Sequence, residues 1–173
     1  RYRNPSRKFD GLHAKLLVVD GEYAISGGMN YGDEYSHMGS GPKWRDTDVL
    51  VSGPAVEQAE KGFERIWEEQ AKIKKLAFQP FYKAERAGAA GNSRVSYLFQ
   101  EPAGESYVFL GILKAIYGAS TRINIENAYI IAVPAFRLAI RDAIARGVEV
   151  NILSNSKDTI DEPALVVPIL RSL

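Results

Sequence analysis

Cysteine is absent from the 173 residues of this chain. That excludes disulfides, thiolate metal sites and cysteine nucleophiles. It does not fix a compartment, because a chain without thiols tolerates reducing and oxidising surroundings alike. Long apolar runs are missing too: none approaches the roughly eighteen residues needed to span a bilayer, and no signal-peptide pattern is visible. Neither charge sign dominates, with 22 Lys and Arg against 21 Asp and Glu and a formal net charge of +1. No global charge therefore points to nucleic acid or to an acidic partner. Histidine is scarce, with only two in the chain. What remains is globular composition, 46% hydrophobic and 25% charged, in a length suited to one domain or pieces of two.

Residues 12–19, LHAKLLVV, read as a strand, and Asp20-Gly21 is a two-residue hairpin signal with EYAIS returning. That turn would pair Val19 with Glu22, Lys15 with Ser26 and His13 with Gly28. A polar loop rich in Gly, Ser and Asn follows, over 27–43. DTDVLVSG is a further strand, and Gly53-Pro54 opens a helix over about 54–72. Helical spacing there predicts burial of Ala55, Ala59, Phe63, Ile66 and Trp67. Residues 83–93 are small and turn-rich, and read as a linker between a unit at 1–82 and another at 94–173. In the second unit RVSYLF (94–99) reads as a strand, then helix, strand, helix and strand alternate, with Gly147 ending the second helix. That order implies parallel strands joined by crossovers. Pro163 can start a last helix, which Pro168 should break or kink.

Strand alternation puts His13, Lys15, Leu17 and Val19 on one face. Imidazole can attack, accept or donate protons near neutral pH. The lysine supplies a fixed charge with three donors for phosphate oxygens. Asn30 adds amide donors, and the Gly27-Gly28 backbone can bring N–H groups close to an anion. Together they form a phosphate cradle with a nucleophile in it.

The spacing H-x-K-x4-D-x6-G-G-x-N, carried by His13, Lys15, Asp20, Gly27, Gly28 and Asn30, resembles the motif of the phospholipase D superfamily. That family more often has serine where Gly28 stands, so a hydroxyl contact to phosphate is replaced here by backbone N–H. "NYGDEY", "WRDTDV" and "SGPAVEQAEKGFERIW" look like the stretches after the first motif in bacterial cardiolipin-synthase-like members. "NAYIIAVPAFRLAIRDAIARGVEVNILSNS" looks like the opening of their second half. The resemblance implies an α/β fold of phospholipase D type, a mixed β-sheet flanked by helices. The chain would be a fragment running from the end of the first half into the second.

It also implies a two-step transfer through a phosphohistidine, needing no metal and no cofactor. His13 is favoured as nucleophile, with general acid as its other possible role. Lys15, Gly27, Gly28 and Asn30 would hold phosphate. Asp46 matches the family's carboxylate behind this histidine and is favoured over Asp48 on the same strand face. Asp20 is assigned to the turn rather than to chemistry. His37, in "YSHMGS", reads as a solvated loop residue and Trp44 as a packing residue. The basic residues Arg1, Arg3, Arg7 and Lys8 suit an anionic membrane or substrate or a solvated arm. Ser154, Asn155 and Ser156 follow a parallel strand's C-terminal end, where such folds place ligands.

No second H-x-K occurs. A partner motif would come from the second half of a longer parent or from a two-fold mate, and the chain alone is expected to be inactive. The expected substrate is a phospholipid, acted on by a phosphatidyltransferase or a phospholipase D hydrolase, with peripheral association at a bacterial cell membrane. Nucleic acid is not the expected partner. The alternatives are a nuclease of the same family and a non-catalytic binding fragment.

Overall fold

The computed structural model describes residues 11–77, 88, 91–101 and 104–172. The basic residues Arg1, Arg3, Arg7 and Lys8, and most of the expected linker, lie outside the described residues. The chain divides into two compact units, Arg1–Pro102 and Ala103–Leu173. Its helices and strands make an α/β protein in which hydrogen bonding joins the strands into one antiparallel and one parallel ladder.

The first unit is built on a meander of β1 (Leu16–Val19), β2 (Tyr23–Gly27) and β3 (Asp48–Ser52), with β2 in the middle. Asp20 and Gly21 take positive φ, 54° and 65°, and Glu22 N–H donates to Val19 O at 3.0 Å. The ladder itself resumes one residue later than the turn predicts. Val19 pairs with Tyr23 and Leu16 with Ser26, so Glu22 is an additional residue and the expected Lys15–Ser26 pairing is not made. A one-residue slip reverses which face pairs with which. Here it sets Val18 beside Ala24, and Ala24 beside Val51, on the face that meets the helix.

That helix, α2 (Val56–Ile73), follows a turn at Gly53, whose φ is 96°. Ala24, Val51, Val56 and Ala59 form the core, with Leu16, Val18, Ala55 and Tyr97 packed against it. Two of the four are alanines, which lets the helix axis lie close to the sheet. The inward positions of α2 are therefore Val56, Ala59 and Gly62. Phe63 and Trp67, expected in the core, are exposed and stack on each other with centroids 5.9 Å apart. The helix is phased by its small residues rather than by its aromatic ones.

Residues 94–99 form no strand. They run beside α2 in the first unit instead of opening the second. Tyr97 N–H donates to Gln58 Oε1 at 3.2 Å, and Arg65 pairs with Glu101 at 2.5 Å. The Phe99 ring occupies the space a side chain at Gly62 would need, a Cβ there lying 2.5 Å from Phe99 Cε2. Partial burial pushes the Tyr97 phenol above its ordinary pKa.

The second unit runs α3 (Tyr107–Gly118), β4 (Arg122–Glu126), α4 (Pro134–Ala145), β5 (Glu149–Leu153), a 3₁₀ turn (Pro163–Leu165) and α5 (Val166–Ser172). β4 and β5 are parallel, Arg122 opposite Glu149 through Glu126 opposite Leu153. Ile116, Ala139, Ala143 and Val148 are the core, with Leu113, Ile123, Phe136 and Ile140 around them. Gly147, at φ 84°, ends α4: its N–H donates to Ile144 O and that of Val148 to Ala143 O, at 2.9 and 3.0 Å, a Schellman closure. Arg146 reaches the carboxyl end of α3, donating to Ile116 O at 3.0 Å and Ala119 O at 3.3 Å. Pro168 does not break the last helix. It falls in the first turn of α5, where backbone N–H groups have no intrahelical partner to lose.

Candidate active site

The site residues gather where β1 enters the meander and β2 leaves it. Leu16 and Val18 turn toward α2, so Leu17 and Val19 point away; the strand expected over 12–19 begins only at Leu16, and His13 and Lys15 lie in the segment before it. His13 is exposed and Lys15 half-buried. The Lys15 ammonium donates to His13 O at 2.7 Å and lies 3.1 Å from Nδ1 and 3.3 Å from Nε2 of the ring.

Gly27 and Gly28 lie where two carboxylates approach the backbone. A Cβ on Gly28 would lie 2.5 Å from Asp46 Oδ1, and one on Gly27 would lie 2.6 Å from both Asp48 Cγ and the Thr47 carbonyl. Each carboxylate is anchored by an amide: Thr47 N–H donates to Asp46 Oδ1 at 2.8 Å and Met29 N–H to Asp48 Oδ1 at 3.2 Å. Asp48 thus bonds to the glycine loop. Asp46 lies against Gly28, and no hydrogen bond joins it to His13.

Asn30 is engaged by a residue the sequence reading passed over. Its amide donates to Tyr35 Oη at 2.9 Å, from α1 (Asp33–Ser36). Tyr35 meets Trp44 edge-on, ring centroids 5.3 Å apart at 87°. Trp44 N–H donates to Glu34 O at 3.0 Å. His37 is tied down as well, its Nε2 donating to Trp44 O at 2.7 Å from a backbone at φ 57°. It is an exposed loop residue, as expected, and this bond also ties the loop to Trp44. Trp44 packs as expected. The tyrosine had a signal in "NYGDEY", five residues beyond Asn30, but only a folded loop brings the two together.

Asp20 sits at the turn with positive φ, the conformation aspartate tolerates better than most residues. In the second unit Ser154 Oγ donates to Ala128 O at 3.3 Å and Ser156 Oγ lies 3.2 Å from Thr159 Oγ1; these residues shape the turn after β5. Among the described residues no group of three or more His, Asp or Glu is placed to hold a metal ion.

Chemically, then, an exposed imidazole lies beside an ammonium just ahead of β1, and the Asn30 amide follows the glycines that leave β2, with Asp46 and Asp48 against them. Such a set offers a cation, an amide donor and an imidazole to solvent. The chain is similar to cardiolipin synthases. It is 30% identical to cardiolipin synthase 1 of Staphylococcus aureus over 142 residues, 82% of this chain and 29% of that protein. To cardiolipin synthase 2 of the same species it is 33% identical over 149 residues, 84% and 30%. To cardiolipin synthase 1 of Staphylococcus epidermidis it is 29% identical over 142 residues. The chain spans less than a third of the length of these curated relatives. No protein-family model matches it, and no solved structure does.

Proposed function

We propose that this chain is part of a phospholipase D-like enzyme that transfers phosphatidyl groups between alcohols, of the cardiolipin synthase kind. The observation that carries the reading is the contact of the Lys15 ammonium with the His13 ring, inside a motif spacing of that family. In the first step a ring nitrogen of His13 forms a bond to phosphorus while the P–O bond to the leaving alcohol breaks. The alcohol takes its proton from a general acid supplied by a second motif. In the second step an acceptor alcohol attacks phosphorus, the N–P bond breaks, and the acceptor's proton returns to that same group. Lys15 and Asn30 hold the phosphate oxygens through the pentavalent transition state, where charge is greatest. Asp46 is assigned to orient the imidazole once substrate draws the ring away from Lys15, because catalytic hydrogen bonds often tighten only in the complex.

The substrate is a phospholipid, and no helix among the described residues is long and apolar enough to cross a membrane. The test is His13→Ala in the full-length protein, assayed with phosphate-labelled phosphatidylglycerol. Turnover should vanish and no label should remain on the protein after a neutral quench. Turnover close to that of the unmodified protein overturns the proposal. Release of nucleotides from DNA without action on phosphatidylglycerol would move the substrate to nucleic acid.

A further inference from the structure

The ladder between β2 and β3 ends at the pair Gly27 and Asp48. Met29 lies two residues past that end and is half-buried, so its backbone N–H needs an acceptor. The Asp48 side chain supplies one: Oδ1 accepts the Met29 N–H at 3.2 Å in a partly buried bond. To reach it the carboxylate folds back over Gly27, where a Cβ would lie 2.6 Å from Asp48 Cγ. A side chain of β3 thus adds one rung to the ladder after the backbone has stopped. Asp46 makes a different bond, accepting from the N–H of the adjacent Thr47, which ties it to its own strand.

The extra rung matters because of what flanks it. Gly27 and Gly28 come just before Met29, and two glycines in succession are the most permissive hinge a chain can have. Asn30 comes just after, and its amide donates to Tyr35 Oη at 2.9 Å. Tyr35 can direct that amide only if the main chain bearing it is already in place. Asn30 is therefore held at two points, its main chain from β3 through Met29 and its side chain from α1.

We infer that Asp48 is a positioning residue of the transfer reaction, fixing Asn30 through the Met29 amide where that side chain meets a phosphate oxygen. The inference rests on the function proposed above, in which Asn30 holds such an oxygen. Asp48 itself touches no substrate in this role; it removes the freedom that the two glycines would otherwise give.

The test is a double-mutant cycle in the full-length protein, read as turnover of phosphate-labelled phosphatidylglycerol. Asp48→Ala should lower turnover about tenfold with KM nearly unchanged, part of the roughly hundredfold that losing a transition-state donor outright costs. In an Asn30→Ala background the same change should cost less than about twofold, because the group it positions is gone. Asp48→Asn keeps an oxygen for Met29 and should restore turnover. Hydrogen exchange over residues 27–30 should quicken in Asp48→Ala and not in Asp48→Asn. Asp48→Ser, whose hydroxyl ends a bond short of Met29, takes the place of the alanine variant if that one does not fold. Equal losses with and without Asn30 overturn the inference. So does an Asp48→Ala protein whose loop exchanges faster yet turns over as before, a result that leaves the proposed function, tested by His13→Ala, standing. A shift in the acid limb of the pH profile in Asp48→Asn would make Asp48 the partner of the imidazole and also overturn it.

Discussion

Gly27 and Gly28 look alike in the sequence, yet their surroundings differ. At Gly28 the obstacle to a Cβ is the end of the Asp46 side chain, which can rotate toward solvent. At Gly27 a backbone carbonyl, that of Thr47, stands in the way as well. Gly28→Ala should therefore cost less than about 1 kcal/mol, and Gly27→Ala about 2–3 kcal/mol, as read from urea denaturation midpoints. Equal costs would mean that the loop yields at both places. Tyr35 supports Asn30 through one hydrogen bond. On the proposed function, Tyr35→Phe in the full-length protein should lower turnover about three- to tenfold, the worth of such a bond, and less than Asn30→Ala does. The spacing of His13, Lys15 and Asn30 is carried by the sequence itself, and the contact of Lys15 with His13 follows from their two-residue separation. Tyr35 and His37 were not legible in that way, since their roles depend on how an irregular loop folds back on Trp44.

Elements were legible where periodicity and stop signals agreed, as at α4 with Gly147 behind it. They were less so where tertiary packing chose between options. The extra residue at Glu22 shifted the hairpin register, and α2 turned its alanines and Gly62 inward because an aromatic face would have held it away from the sheet. RVSYLF has the composition of a strand, but its amide and ring are taken by Gln58 and Gly62 of the helix beside it. Two expectations belong to the second unit. Arg146 ties α4 to the carboxyl end of α3 through charge-assisted bonds, so Arg146→Ala should destabilise this unit by about 1–2 kcal/mol, measured by hydrogen exchange in α3. On the sheet, Asn151 and Arg122 both donate to Glu149 and hold its carboxyl below the usual range. A lowered folded-state pKa contributes stability above the unfolded value, and that contribution is lost as pH falls through the folded one. A carboxyl-carbon NMR titration of Glu149 should show the depressed midpoint, and Arg122→Gln should raise it.

At the scale of the molecule, the α/β class was legible from alternating strand and helix patterns. The division was not: the first unit extends to Pro102, eight residues past the point where the second was expected to begin at 94, because the intervening segment packs on α2. Positive charge for the proposed reaction comes from Lys15 and from amides, so an excess of EDTA should leave phosphatidyl transfer by the full-length enzyme unchanged; loss of activity that added divalent cation restores would require a different chemistry. Both tryptophans, Trp44 and Trp67, lie in the first unit. Indole emission during denaturation thus reports on the meander and its helix alone, whereas far-UV ellipticity averages both units. A melting curve followed by fluorescence is half a measurement here, and agreement between the two signals becomes a direct assay of whether the chain unfolds as one cooperative body.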